Sequence, residues 1–147
     1  MAVSMLRYNH TAKKLLNKEI NTSTLKVMLL TNTAAFSAAN TQLTQVTNAG
    51  AYEVSGNGWT AGGETLDNVT ITTVDTNGAM IDADDIDVTA TGGDIGPAYK
   101  AVIYDDSDAD DAPLWFIDFG ESKTADEGTP FKIVFNAAGL TRITQAA

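Results

Sequence analysis

The chain has 147 residues, no cysteine and a formal net charge of −10. This length fits one domain that can bury a core, and the lack of cysteine excludes disulfides, thiolate nucleophiles and cysteine-based metal sites. The acidity argues against nucleic-acid binding, because neutralising phosphates requires clustered Lys and Arg side chains.

The charge is spread unevenly along the chain. Residues 1–66 carry five Lys or Arg and three Asp or Glu, whereas residues 67–147 carry four and sixteen. One interpretation of the acidity is that it keeps the protein soluble. The other is that the basic N-terminal end binds an acidic surface on a neighbouring copy or on another protein. No window approaches the roughly 18 apolar residues of a membrane span, and the N-terminus lacks the apolar segment of a signal peptide. We therefore expect synthesis in the cytoplasm and no membrane partner.

Residues 8–20, YNHTAKKLLNKEI, predict one short helix, with Asn9 or Thr11 as its N-cap. Because so short a helix is marginal alone, it should pack on a sheet of its own domain. We expect residues 1–24 to form an arm and helix packed on a single β domain that spans 1–147. The side chains at helical spacing on the packed face are Ala12, Leu15, Leu16 and Ile20.

The rest of the chain predicts strands separated by turns every 8–12 residues. Residues 99–104 and 114–119 are apolar on both faces, and Leu114 and Trp115 are expected to point to opposite faces. Strands of this kind lie in the middle of a sheet that is covered on both sides. Residues 25–30 predict another buried strand. The pattern predicts a mainly β fold, an antiparallel β-sandwich or barrel (jelly-roll-like) with one short N-terminal helix.

Two further strands are expected at residues 68–74 and 80–89, joined by a tight turn at Asn77-Gly78. The apolar phase of the second strand changes near Asp84-Asp85, which predicts a β-bulge there. The last strands are expected at 131–135 and 140–143.

Two stretches without strand periodicity are candidate contact regions. Residues 31–50 predict a long loop with at most a short helical turn, suited equally to an exposed arm that contacts a partner and to a ligand-binding loop. Residues 56–63 contain four glycines and Asn57, which predicts tight turns with positive φ. Trp59 in this segment either closes the end of the core or forms a stacking platform for a sugar or a partner protein.

The acidic loop, DDSDADD at residues 105–111, invites comparison with a calcium site. Asp106, Asp108 and Asp110 match the first, third and fifth positions of an EF-hand loop. Asp111 stands where the EF-hand requires glycine, and the flanking segments are strands rather than helices. The loop is therefore interpreted as a solvated acidic hairpin tip that is mobile unless a cation or a basic partner meets it, with a weak calcium site as the alternative.

Other polar clusters predict no chemistry. Asp82, Asp84, Asp85 and Asp87 read as an exposed polar face rather than as the paired carboxylates of a glycosidase. His10 is the single histidine, so it cannot build a multi-histidine zinc site, and no nucleophile motif lies beside it. We expect no catalytic residue and no cofactor, and therefore a protein that is not an enzyme.

Several segments, in this order, resemble small virion proteins of tailed bacteriophages. The most specific is YEVSGNGWTAGG at residues 52–63, and the resemblance covers nearly the whole chain. The other matching segments are YNH (8–10), KKLLN (13–17), LKVMLLT (25–31), AVIYDD (101–106), IDFG (117–120) and NAAGL (136–140).

This resemblance implies a structural role in the phage particle, preferentially as a capsid decoration, or cement, protein on the outer surface of the head. Its expected partners are the major capsid protein and further copies of itself, as a homo-oligomer in the virion. The alternatives are a tail, neck or fibre-associated protein, or a carbohydrate-binding module for host recognition. The residues expected to contact a partner are Met5, Leu6, Arg7, Tyr52 and Trp59.

Overall fold

The computed structural model describes residues 3–74 and 78–144. It is mainly β, with antiparallel sheets in a sandwich-like arrangement, as the sequence predicts. The described residues include two helices, α1 (Asn9–Leu16) and α2 (Leu43–Thr47), where the sequence predicts the first and at most a helical turn at the second. In chain order the strands are β1 (Ser4–Arg7), β2 (Leu25–Leu30), β3 (Glu53–Val54), β4 (Glu64–Thr65), β5 (Thr70–Val74), β6 (Gly78–Asp82), β7 (Ile86–Thr89), β8 (Ile95–Asp105), β9 (Pro113–Ala125), β10 (Pro130–Ile133) and β11 (Thr141–Thr144).

The main sheet has the strand order β1-β9-β8-β2-β3, with β4 also paired to β2. All its pairs are antiparallel, and its path runs between two edges rather than closing into a barrel. β8 and β9 lie inside the sheet, which confirms the prediction made from their two apolar faces. The N-terminal segment predicted as an arm contributes β1, the edge strand beside β9.

Each face of the main sheet is covered by a separate apolar core. The first core joins residues such as Ile103 and Trp115 to Ile86 and Phe131 from the smaller sheets. The second core joins Val102 and Phe116 to the helix α2 region, with Tyr8 buried among them. Because strands β8 and β9 supply side chains to both cores, they hold the molecule together.

Leu114 packs with the first core, together with Trp115, rather than alternating with it as the sequence predicts. The pairing of β8 with β9 explains this, because Ile103 faces Trp115 while Tyr104 faces Pro113. One extra residue therefore sits on β9, and such a bulge interrupts the alternation of side chains along a strand.

The smaller sheets are β11-β6-β5 and β10-β7. The predicted strand at 80–89 with a bulge is therefore wrong: β6 and β7 belong to different sheets. The acidic residues between them form the crossing, with the Asp84 amide bonded to the Asp67 carbonyl and the Asp85 carboxylate accepting from the Phe135 amide. Asn77, in the predicted turn, lies outside the described residues, and the flanking strands β5 and β6 pair antiparallel.

Helix α1 differs from the prediction in its cap and its packed face. Tyr8 occupies the N-cap position without a side-chain capping bond, so neither Asn9 nor Thr11 is the cap. Thr11 is buried and donates a hydrogen bond to the Leu114 carbonyl (2.8 Å), whereas Leu16, on the predicted stripe, is 75% exposed. This anchor on β9 orients the helix. Within the described residues no helix is long and apolar enough to cross a membrane.

Residues 31–50 form the predicted long loop with a short helical turn, but the segment packs against the sheet rather than extending as an exposed arm. Helix α2 is closed at its start by a reciprocal capping box between Gln42 and Gln45, and its Leu43 and Val46 side chains are buried. The segment therefore covers the second face of the main sheet, which would otherwise be exposed.

Gly63 allows the turn after Trp59 to press against β2. Its φ is +100°, and a Cβ added there would overlap the Val27 carbonyl. We expect Gly63→Ala to lower the free energy of unfolding by about 3 kcal/mol, from backbone strain plus steric overlap. Gly50→Ala is a matched control, since Gly50 has φ +89° with nothing within 4 Å of its added Cβ. Urea denaturation should show the larger loss at Gly63; equal losses would contradict the close approach.

Candidate functional site

Asp105, at the start of the acidic loop, is buried with 2% of its surface exposed. Its carboxylate accepts hydrogen bonds from the Asn21 amide (2.9 Å), the Thr24 hydroxyl (2.7 Å), and the amide and hydroxyl of Ser107 (3.0 and 2.8 Å). Burial acts to raise the pKa of Asp105, but these hydrogen bonds outweigh it and hold the pKa below its ordinary value. Asp105 therefore ties the acidic loop to the turn before β2.

Three other carboxylates of the acidic loop, those of Asp106, Asp108 and Asp110, also have partners within the chain. Lys14 lies 2.9 Å from the Asp108 carboxylate, and the hydrogen bond from Lys14 lowers the pKa of Asp108. Lys26 lies 3.0 Å from the Asp106 carboxylate.

Asp110 accepts from the side chain of Gln42. The basic groups that meet the loop thus come from its own N-terminal region, which is the case in which the sequence predicts no mobile tip.

The three carboxylates proposed for calcium do not converge. Within residues 3–74 and 78–144, no group of three or more His, Cys, Asp or Glu side chains is arranged to hold a metal ion. Asp106, Asp108 and Asp110 instead point to three different partners, as described above. Burial, followed by the charges of Asp106 and Asp108, raises the pKa of Asp111 above its ordinary value.

Calcium should therefore leave the thermal stability of this protein unchanged. A ligand raises the melting temperature only when it binds the folded state more tightly than the unfolded state. We expect the same melting temperature with millimolar calcium and with a chelator, measured by circular dichroism. A rise with calcium that disappears in Asp108→Asn would contradict this prediction and restore the calcium interpretation.

The remaining polar candidates have structural partners. His10 is half-buried, with Nε2 2.6 Å from the Pro113 carbonyl oxygen. In the second acidic cluster, Asp84 accepts from the Asn68 side-chain amide, and Asp87 forms an ion pair with Lys132 at 3.2 Å. These contacts join separate segments of the chain and need no substrate to explain them.

Trp59 is buried in the first core, with 2% of its surface exposed. Its ring packs edge-on against Phe131, with ring centroids 5.5 Å apart. The ring is therefore not open to solvent. Of the two interpretations of Trp59, the closure of the core is confirmed, and the stacking platform and the partner contact at Trp59 are wrong. Tyr52, the other aromatic residue predicted to contact a partner, is half-buried against the second core.

Strand β1 carries the other three residues predicted to contact a partner, and all three are exposed. Met5 is 37% exposed and Leu6 is 40% exposed. In the pairing with β9, Met5 lies opposite Ile117 and Arg7 opposite Trp115, so these two share one face of the sheet, and Leu6 lies on the other. The edge of the main sheet thus exposes apolar side chains on both of its faces.

A groove of about 770 Å³ lies beside β1. One wall comes from β1 and β9, and the other from β10 and the segment that follows it. Among the described residues, every charged side chain that lines it is basic, and we call it the basic groove. The basic side chains are Arg7, Lys123 and Lys132.

The basic groove is not foreseeable from the sequence. Alternation in residues 131–134 signals a strand with Phe131 and Ile133 buried and Lys132 and Val134 outside, and the structure agrees. No local pattern, however, places this segment opposite β1, more than 120 residues earlier in the chain.

Comparison of the chain with protein-family models, curated protein sequences and solved structures finds no match. The features that bear on function are therefore those of the chain itself: the β1 edge, the basic groove and the acidic loop. The first two are open to solvent, whereas Asp105, Asp106 and Asp108 of the third are bonded internally.

Proposed function

We propose that this chain is a structural protein of a bacteriophage particle, a capsid decoration protein that binds the shell of the major capsid protein and stabilises it. The resemblance of its segments to small virion proteins of tailed phages supports this role. The structural observation in its favour is the β1 edge, where Met5 and Leu6 are exposed on opposite faces of a well-packed sheet. Exposed apolar side chains at an edge are typical of contact surfaces.

A decoration protein stabilises a shell because it binds the assembled form and not the separated subunits. Such binding needs a surface that is presented without reorganisation, since ordering a flexible segment costs free energy. β1 meets this need, because its pairing with β9 holds all four of its residues in an extended conformation. Symmetric shells repeat such a contact in many copies, which is the form in which we propose that this chain assembles.

The test is to locate the protein in purified particles of the phage that encodes it. We expect mass spectrometry to detect it in mature virions, and electron cryomicroscopy to place many symmetric copies on the outer surface of the head. Heads that lack the chain should disassemble at a lower temperature and regain their stability when the purified chain is added. Absence from mature heads would overturn the proposal, and a few copies at the neck or tail would favour the alternative virion role.

A further inference from the structure

We propose that the β1 edge and the basic groove together bind an extended segment of a partner protein, in which two adjacent apolar residues are flanked by acidic ones. The inference rests on the proposed function, because it assigns the surface and the partner chemistry through which the chain would contact a shell. It adds a binding site that includes Lys123 and Lys132, on elements far from β1 in the sequence.

The backbone of β1 offers the first part of this site. Among the described residues β1 pairs with β9 alone, so its other edge has no strand beside it. An unpaired edge presents N–H and C=O groups that an extended segment can bond to as an added strand. The edge is short and apolar, and within β1 Arg7 is the one charged residue.

The side chains of β1 define what should lie opposite each position of an added strand. Directly opposed side chains of neighbouring strands contact each other, so apolar partners suit Met5 and Leu6, and a carboxylate suits Arg7. Within residues 3–74 and 78–144, Arg7 has no ion-pair partner of its own. The partner segment therefore needs two neighbouring apolar residues with an acidic residue beside them.

The basic groove defines the charge of the partner more broadly. Arg7, Lys123 and Lys132 are the charged groups that line it. Lys123 and Lys132 form exposed ion pairs with Glu121 and Asp87, which leaves Arg7 as the one basic group of the groove without an ion pair among the described residues. Its apolar rim includes Val3 and Val134, both more than half exposed. An acidic and apolar segment is complementary to this surface in charge and in polarity.

A second copy of this chain is a poorer occupant than a different protein. Two chains of charge −10 repel each other at long range. Two carboxylates of the acidic loop, on Asp106 and Asp108, already pair with Lys26 and Lys14 of their own chain. We therefore assign the site to a partner other than a second copy.

The test uses the full chain and a fluorescent peptide of about ten residues with the central sequence Thr-Glu-Val-Val-Thr-Glu. Binding is followed by fluorescence anisotropy. Arg7→Glu should weaken binding roughly tenfold or more, because it turns an attraction between opposite charges into a repulsion. Lys13→Glu makes the same charge change on the exposed side of α1 and should change affinity less than about twofold. A peptide with Lys in place of Glu should bind far more weakly.

Three results would overturn the inference. The first is an equal loss of peptide affinity in Arg7→Glu and Lys13→Glu. The second is that the acidic and the basic peptide bind with equal affinity, or that neither binds. The third is self-association of the chain, seen by sedimentation equilibrium, that Arg7→Glu abolishes, since this would assign the edge to a second copy. Arg7 is exposed, so its replacement should leave the melting temperature unchanged and the variant folded.

Binding to purified heads separates this inference from the proposed function. If the chain decorates heads and Arg7→Glu binds them as well as the wild type does, the groove assignment fails and the decoration role stands. If the peptide results are as expected but the chain is absent from heads, the decoration role fails and the peptide site stands.

Discussion

Asp105→Ala should lower the free energy of unfolding by about 3 kcal/mol, although Asp105 is one of five aspartates in a seven-residue acidic loop. The carboxylate accepts four hydrogen bonds, and its removal leaves the Asn21 amide and the groups of Thr24 and Ser107 without their acceptor. These hydrogen bonds are partly buried, so the donors that lose their acceptor keep part of the cost of their desolvation. Chemical denaturation followed by circular dichroism measures the loss.

Asp110→Ala is the matched control for this prediction. Asp110 is exposed, and its carboxylate accepts from the Gln42 side chain and from no other residue in the described part of the chain. Its replacement should change the free energy of unfolding by less than about 0.5 kcal/mol. Similar losses for Asp105→Ala and Asp110→Ala would show that Asp105 is not the anchor of the loop.

The effect of Asp105 should depend on pH. Its pKa in the folded protein lies below the ordinary value of 3.8, so its carboxylate stabilises the fold fully at pH values above 3.8. This stabilisation is lost as the pH falls through the lower pKa of the folded state. The difference in stability between the wild type and Asp105→Ala should therefore be largest at neutral pH and shrink below about pH 4. A difference that stays constant from pH 7 to pH 3 would contradict this assignment.

Trp59→Ala should lower the free energy of unfolding by about 4 kcal/mol, because it removes a large buried ring and leaves a cavity. The ring lies in the first core against Phe131, at the junction between the Gly-rich turn and β10. The expected phenotype is a loss of stability rather than a selective loss of partner binding. Thermal and chemical denaturation of the variant test this directly.

Trp59→Phe is the conservative counterpart. The Trp59 Nε1 atom is buried and has no hydrogen-bond partner within the described residues. Replacing the indole with a phenyl ring therefore removes no hydrogen bond to those residues. We expect it to cost about half as much as Trp59→Ala, since part of the ring volume is kept. If Trp59→Ala left stability unchanged, the burial of the ring would be refuted and a surface role for Trp59 would return.

Among the contact residues predicted from sequence, the structure separates those that are exposed from those that are buried. Met5, Leu6 and Arg7 are exposed on β1, whereas Trp59 is buried. Exposed and buried contact candidates look alike in sequence. An apolar residue near a chain terminus or a glycine-rich turn can either contact a partner or close the core. The distinction depends on whether a distant segment covers the side chain, as β10 covers Trp59 through Phe131.

The acidic loop shows the same limit. Its aspartates are equivalent by composition, and the sequence predicts a tip that is mobile unless a cation or a basic partner meets it. The structure buries Asp105 under the turn at Asn21 and Thr24, and places Lys14 beside Asp108. Lys14 is 94 positions away in the chain, and no local pattern reports such a pairing.

The sequence by itself determined the mainly β class and the central place of β8 and β9, because strands that are apolar on both faces must be covered on both. It also determined the tight turns around Trp59, because Gly56 and Gly58 adopt positive φ that other residues avoid. Tertiary structure alone decided that Trp59 is core, that the acidic loop is bonded to its own chain, and that a basic groove opens beside β1. These outcomes depend on contacts between segments distant in sequence, whose geometry is set by the packing of the whole fold.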